Sequence, residues 1–274
     1  MVKRSIRTII FLSIAAIWVS FSARAAFTLL DEPQPGALVR GVVETPETRI
    51  LFNGEALKVS PNGDFVFGLS RDATGSIEIE WQSASESGSK RYALPSREYD
   101  IQRIDGLPQN MVTPDESVLA RIRQDNQQVA QARAGDTDFN YFMQSFIWPA
   151  EGRLSGVYGS QRMLNGEPRR PHYGLDIAAP TGTPVLAPAD GVVTLFVPDM
   201  YFSGGTLIID HGHKVSSTFI HLHKAHVEVG DYVKQGQLIA EIGATGRVTG
   251  AHLDWRINWG KVRVDPQLLV PERE

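Results

Sequence analysis

The chain has 274 residues, of which 42% are hydrophobic and 21% are charged, and its formal net charge is −4. This length is enough for two modest domains with separate cores, and the composition argues against disorder as the main state. The acidic balance and the lack of a basic tract argue against a nucleic acid partner. No cysteine is present, so any metal must be held by histidine and carboxylate groups.

Residues 1–25 have the pattern of a secretory signal peptide. A basic stretch, Met1–Arg7, precedes an apolar run of 13 residues from Ile9 to Phe21, and Ala23–Ala25 offers small residues for cleavage. The apolar run is shorter than the roughly 18 to 20 residues that span a bilayer. We therefore predict cleavage before Ala26, no stable membrane span afterwards, and a periplasmic or otherwise exported protein. Loss of four basic residues would lower the formal charge from −4 to −8.

Residues 26–107 predict a small β-sandwich-like domain of about seven strands. Short apolar runs alternate with turn signals, and Asn53-Gly54 between two such runs is the strongest short hairpin signal. Ile77–Trp81 alternates like a half-buried strand. The segment contains no histidine and no group of residues typical of a catalytic site.

Residues 108–141 predict a helical linker. Thr113–Glu116 reads as a capping box that opens a helix over 114–134, with Gly135 as a stop. Its apolar line of Val118, Ile122 and Val129 is thin, so little of the helix can be buried. Such a helix, about 30 Å long at 1.5 Å per residue, can be a spacer or can lie across a neighbouring face. The sequence leaves both alternatives open.

Residues 142–274 predict an all-β domain, because short strands separated by glycine and proline return after Trp148-Pro149. All seven histidines lie in this region, between His172 and His252. For His211, His213, His223 and His226 we expect ordinary surface or core positions.

The remaining three histidines, His172, His221 and His252, are the candidates for metal binding and catalysis. In an extended segment His172 and Asp176 point to one face, with Gly174 leaving space between them, which suits two ligands of one metal. His252 and Asp254 repeat this spacing. His221, at the end of an apolar run, is a third candidate.

Together these segments resemble the lysostaphin and LytM type of zinc endopeptidase, which cleaves peptide bridges in peptidoglycan. The resemblance covers residues 152–255 and says little about residues 26–140. Its motifs, in order, are Arg153–Gly159, His172–Pro180, Gly182–Val185, Ala189–Val193, Asp210–Gly212, Phe219–Leu222, Val229–Val233, Gly236-Gln237, Gly243–Arg247 and Thr249–Leu253.

The resemblance implies a LytM-like fold with a Zn²⁺ cofactor and a peptidoglycan peptide as substrate. It places His172 and Asp176 on the first two zinc ligands, and His221 and His252 on the two catalytic histidines. The family's third ligand is a histidine, but this chain has Asp254 there. Aspartate is a legitimate zinc ligand at about 2.0 to 2.2 Å. Two carboxylates would, however, cancel the charge of the ion and acidify its water less.

Two functions follow from this pattern. The first is an exported zinc metalloendopeptidase that hydrolyses peptide cross-links of peptidoglycan. The alternative is a catalytically silent LytM-type module that binds cell wall and activates a separate amidase, as in relatives that have lost ligands. Asp199–Gly205 is either a wall of the substrate groove or an ordinary hairpin loop.

Overall fold

The computed structural model describes residues 26–104, 116–164, 167–168 and 170–273. The predicted signal peptide and the Thr113–Asp115 part of the predicted capping box lie outside these ranges. Within the described ranges, no helix is both long enough and apolar enough to cross a membrane.

The N-terminal strands form two small sheets around a shared core. These strands are β1 (Phe27–Leu29), β2 (Leu38–Val43), β3 (Arg49–Phe52), β4 (Glu55–Ala56), β5 (Asp64–Gly68), β6 (Ser76–Gln82) and β7 (Ser87–Ala93). One sheet has the order β1-β2-β5 and the other β4-β3-β6-β7. Ile77, Ile79 and Trp81 alternate along β6 and are buried with Phe65 and Phe67 of the other sheet. The predicted sandwich-like arrangement is therefore present.

The hairpin between β3 and β4 turns where the sequence predicts. Asn53 has a φ of 49° and Gly54 a φ of 83°. A two-residue turn with positive φ at both positions matches the right-handed twist of the flanking strands. The Asn-Gly pair tolerates these angles because glycine has no Cβ and asparagine visits this region readily.

The connecting helix is shorter than predicted. A 3-10 turn at Glu116–Val118 leads into α1 (Leu119–Ala132), and no side chain caps its start. No residue of α1 is buried, although Ile122 and Val129 are partly covered. At 1.5 Å per residue, α1 is about 21 Å long. It packs along the strand Gly191–Met200, so it lies across a neighbouring face and is not a free spacer.

The rest of the chain is built from strands. They are β8 (Ile101–Ile104), β9 (Arg153–Gly156), β10 (Gln161–Leu164), β11 (Glu167–Pro168), β12 (Leu175–Ala178), β13 (Pro184–Leu186), β14 (Gly191–Met200), β15 (Gly204–Gly212), β16 (Val215–Ala225), β17 (Tyr232–Val233), β18 (Leu238–Ile242), β19 (His252–Trp259) and β20 (Val262–Val264). The main sheet has the order β17-β14-β15-β16-β19-β12-β9. This is the all-β, LytM-like architecture that the sequence predicts.

The two regions share contacts across the predicted boundaries. β8, from the predicted N-terminal segment, pairs in parallel with β10. Leu38 and Val66 of the sandwich join the core of the main sheet. Trp259 packs against both cores, with its ring 6.4 Å from that of Phe52. The sandwich therefore supports the far end of β19, the strand that also carries His252 and Asp254.

Candidate metal centre

Three predicted metal ligands meet where β12 pairs with β19. Asp176 lies directly opposite Asp254 in this antiparallel pair, and His172 precedes β12. One ligand atom from each of these three residues lies within 4.8 Å of the others. His172 Nε2 and Asp176 Oδ1 are 3.2 Å apart, and among the described residues each is a buried atom with no well-aligned hydrogen bond. Buried polar atoms are nearly always satisfied, so this pair indicates a cation between them.

Two glycines leave the space that the cluster needs. A Cβ on Gly174 would clash with Asp254 Oδ1, and a Cβ on Gly156 would clash with Asp176 Oδ2. Any larger residue at either position would displace a carboxylate. This is the reason that the segment carrying His172 contains Gly174.

The electrostatics of the cluster favour a positive charge. Burial lowers the pKa of His172, but the Asp176 and Asp254 carboxylates more than offset this and raise it above its ordinary value. The imidazole therefore experiences a negative potential. A divalent cation in this position would gain from the same potential.

The two predicted catalytic histidines stand beside this cluster. The ring centroids of His221 and His252 are 4.8 Å apart, and His252 Nε2 is 3.9 Å from Asp176 Oδ1. His221 Nδ1 lies 2.9 Å from the Thr245 carbonyl oxygen, and His252 Nδ1 lies 2.9 Å from the Gly250 carbonyl oxygen. A carbonyl only accepts, so Nδ1 carries the proton in both neutral rings and Nε2 keeps a lone pair.

The orientation of His221 depends on an unusual backbone conformation. Ile220 lies opposite Asp254, so simple alternation along β16 would turn the next side chain away from the site. His221 instead has a φ of 66°, and its N–H donates to the Ser203 carbonyl at 2.8 Å. Positive φ is uncommon outside glycine and indicates a local constraint. Burial lowers the pKa of His221, which keeps the ring neutral near pH 7.

Sequence reasoning missed Arg256. Its Nε donates to Asp254 Oδ1 at 2.8 Å and its Nη2 donates to Asp254 Oδ2 at 2.5 Å. Although burial raises the pKa of Asp254, the Arg256 charge and hydrogen bonds lower it below its ordinary value. The signal was present in the sequence, because positions 252, 254 and 256 of one strand share a face.

The other histidines lie outside the cluster. His211 is fully buried, with Nδ1 2.6 Å from the Asp190 carbonyl oxygen and Nε2 2.7 Å from Ser217 Oγ. His213 is buried against the ring of Phe142, whereas His223 and His226 are exposed. His211, His223 and His226 therefore hold ordinary core and surface positions, whereas both ring nitrogens of His213 are buried without a hydrogen-bond partner among the described residues.

The predicted long turn at Asp199–Gly205 is shorter than expected, because β14 runs to Met200 and β15 begins at Gly204. The Phe202 carbonyl accepts a hydrogen bond from the Arg247 backbone N–H at 2.9 Å, and the Ser203 carbonyl accepts the hydrogen bond from the His221 N–H described above. Helix α1 also reaches this hairpin, since Asp125 Oδ2 accepts from Tyr201 N at 2.8 Å. The turn therefore holds the backbone of His221 by a hydrogen bond.

The fold and the cluster together define a β-sheet domain with a candidate metal site beside two histidines. Residues 170–266, which hold all three candidate ligands and both histidines, match the model of Peptidase family M23. The match covers the C-terminal domain, so this part of the chain is similar to Peptidase family M23.

Relatives and solved structures agree with this assignment. The chain is 32% identical over 273 residues to the peptidoglycan DD-endopeptidase ShyA of Vibrio cholerae, covering 90% of this chain and 63% of ShyA. It is 42% identical over 123 residues to the DD-carboxypeptidase/endopeptidase Mpg of Neisseria meningitidis, covering 44% of this chain and 28% of Mpg. A crystal structure assigned to peptidase M23 from Pseudomonas aeruginosa has 29% identity and a TM-score of 0.68, covering 88% of this chain and 96% of that one. The chain thus spans less than two thirds of these curated relatives.

Proposed function

We propose that this chain is an exported zinc metalloendopeptidase that hydrolyses peptide cross-links of bacterial peptidoglycan. The observation that carries the proposal is the convergence of His172, Asp176 and Asp254 beside the ring pair of His221 and His252. The names of relatives such as ShyA and Mpg support the substrate class.

The donor set fits zinc. Zinc takes imidazole nitrogen and carboxylate oxygen at about 2.0 to 2.2 Å, so two ligands of one tetrahedral ion lie roughly 3.3 Å apart. The 3.2 Å separation of His172 Nε2 and Asp176 Oδ1 agrees with this value. Asp254 has two oxygens with about four lone-pair sites, so the two bonds from Arg256 leave capacity for a metal.

The catalytic chemistry divides between the ion and the chain. Zinc held by these ligands supplies Lewis acidity, which polarises the scissile carbonyl and lowers the pKa of a water molecule. His221 Nε2 is a lone-pair donor that can take a proton from this water. His252 Nε2 faces the same space and can exchange a proton with the reacting groups. The described residues hold no HExxH segment that would supply a glutamate base instead.

Arg256 changes the expected charge of the site. The sequence predicts a site in which two carboxylates cancel the charge of Zn²⁺. The family's site, with one carboxylate and two neutral histidines, has a net charge of +1. The Arg256 guanidinium restores that +1, because it is bonded to both oxygens of Asp254. We infer that the Asp254–Arg256 pair is the electrostatic equivalent of the family's third histidine, so the water stays acidified.

The same pair gives the silent-module alternative its strongest support. Arg256 holds both oxygens of Asp254, so a chain that has given up zinc could retain this ion pair in its place. On that reading the groove binds cell wall without cleaving it and activates a separate amidase.

One assay separates the two functions. Purified mature chain, treated with a chelator and reconstituted with zinc, is incubated with purified sacculi, and the muropeptides are separated. The proposal predicts conversion of cross-linked dimers to monomers that needs zinc and disappears in His221→Ala. An intact dimer population at full zinc occupancy would favour the silent module.

Export is a separate part of the proposal. It rests on the basic, apolar and small-residue pattern of residues 1–25. Mass spectrometry of the exported product is expected to find Ala26 at the N-terminus. An intact Met1 segment in the membrane fraction would contradict it.

A further inference from the structure

Arg133, at the end of α1, is a partly buried cation without a counter-charge. Its Nη2 donates to Thr218 Oγ1 at 2.6 Å, while its Nε is buried and has no hydrogen-bond partner in the part of the chain that the structure describes. Among the described residues, no carboxylate forms an ion pair with it. Burial and the nearby Arg256 and Arg263 charges lower the pKa of Arg133 to about 10. A desolvated guanidinium surrounded by cations is costly unless an anion joins it.

A cavity next to Arg133 has the lining that such an anion needs. Its volume is about 340 Å³. The hydroxyls of Thr194 and Ser216 line it, and both oxygens are buried without a partner. Asp210 also lines it, but its oxygens already accept from Thr137 Oγ1 at 2.7 Å and from Gly212 N at 2.9 Å. Gln131 and Lys214 line it as well, and Lys214 pairs with Asp136 at 3.2 Å. Among the described residues, the buried polar atoms of this lining that lack a partner are therefore Arg133 Nε and the two hydroxyl oxygens.

This cavity and the metal centre share one face of the sheet. Thr218 lies directly opposite Arg256, and Ile220 lies opposite Asp254, in the pairing of β16 with β19. Residues directly opposite each other in an antiparallel pair point to the same side. Two residues along a strand are roughly 7 Å, so the Arg133 guanidinium, bonded to Thr218, lies about that far along the sheet from the position of Asp254. An extended peptide covers this distance in about two residues.

We propose that Arg133, together with Ser216 and Thr194, binds a free carboxylate of the substrate peptide two to four residues from the scissile bond, because Ser216 lies two residues farther along β16 than Thr218. Stem peptides of peptidoglycan carry such carboxylates, so this inference rests on the proposed function and adds a specificity determinant to it. It also gives α1 a role, because the linker helix then contributes a residue to the substrate groove.

The test compares two cross-linked stem peptides. One carries the free carboxylate that Arg133 is proposed to bind, and in the other this group is a carboxamide. In the wild type we expect kcat/KM to be roughly 10- to 100-fold higher for the carboxylate, as a charge-assisted hydrogen bond implies. Arg133→Gln should remove this preference with unchanged zinc content, and Arg133→Lys should keep part of it. Arg123→Gln, an exposed position on the same helix, is the matched control. Equal use of both peptides by the wild type, or an undiminished preference in Arg133→Gln, would overturn the proposal.

A binding measurement keeps the inference separate from the enzymatic one. If no variant hydrolyses either peptide, calorimetry with the two uncleaved peptides decides. Tighter binding of the carboxylate peptide to the wild type, lost in Arg133→Gln, would support the anion site in a chain that is not an enzyme. Equal affinities would exclude it.

Discussion

Arg256 donates two parallel hydrogen bonds to the Asp254 carboxylate, at 2.8 and 2.5 Å, beside the other two proposed zinc ligands. A bidentate pair of this kind fixes the orientation of a carboxylate as well as its charge. The pair is therefore either the support of the third zinc ligand or the substitute for the ion.

The first prediction distinguishes these roles by removing the guanidinium. Partners that orient a metal ligand are typically worth about 10- to 100-fold in metal affinity or activity. Arg256→Met should therefore weaken zinc binding by that factor, as measured by competition with a chromophoric chelator. Tighter zinc binding in this variant would show that Arg256 competes with the metal.

The second prediction concerns a return to the family's histidine. Asp254→His alone leaves the partly buried Arg256 without its partner, which costs up to roughly 3 kcal/mol of unfolding free energy. The double variant Asp254→His with Arg256→Met removes both charges and should recover most of that loss, together with zinc binding. Denaturant unfolding of the two variants measures the difference. Equal stability of both would mean that the pair is not coupled.

The third prediction separates ligands from catalytic groups. His172→Ala and Asp176→Ala should lose most bound zinc, because three protein ligands are needed for a catalytic site. His221→Ala should retain the metal and lose turnover. Elemental analysis of the three purified variants, next to muropeptide release, tests this. If the three variants had equal zinc content and unchanged activity, the metal site would lie elsewhere.

The fourth prediction concerns stability and pH. Burial lowers the pKa of His211 from its ordinary 6.5 to about 4. As the pH falls, His211 therefore binds a proton at a higher pH in the unfolded chain than in the folded chain. The stability associated with neutral His211 is present above pH 6.5 and lost as the pH falls towards 4. Linkage makes this loss roughly 3 kcal/mol. Urea unfolding between pH 7 and 4 should show a shallower pH dependence for His211→Gln than for the wild type or the exposed control His223→Gln. An unchanged slope would contradict the assignment.

The sequence predicted those parts of the site that depend on local spacing. His172 and Asp176 meet across Gly174 because the chain between them is short, and the Asn53-Gly54 turn follows from the φ angles those residues tolerate. The position of His221 could not be predicted in this way. Alternation along β16 points it away from the site, and only the positive φ held by contacts with a distant turn reverses it.

Long-range packing set the remaining features. Arg133 reaches Thr218 only because α1 lies along β14, and a polar helix pattern does not specify which surface it covers. The contact of Trp259 with Phe52 likewise joins residues far apart in the sequence. Arg256, in contrast, could have been predicted from the sequence. It follows Asp254 by two residues on the same strand, so it lies on the same face as that candidate ligand.

Anomalous diffraction at the zinc edge, from crystals of the zinc-loaded mature chain, tests the central claim most directly. We predict one zinc ion at about 2.0 to 2.2 Å from His172 Nε2, Asp176 Oδ1 and an oxygen of Asp254, with Arg256 still bonded to that carboxylate. An ion bound elsewhere, or a site at which Asp254 contacts Arg256 alone, would contradict it.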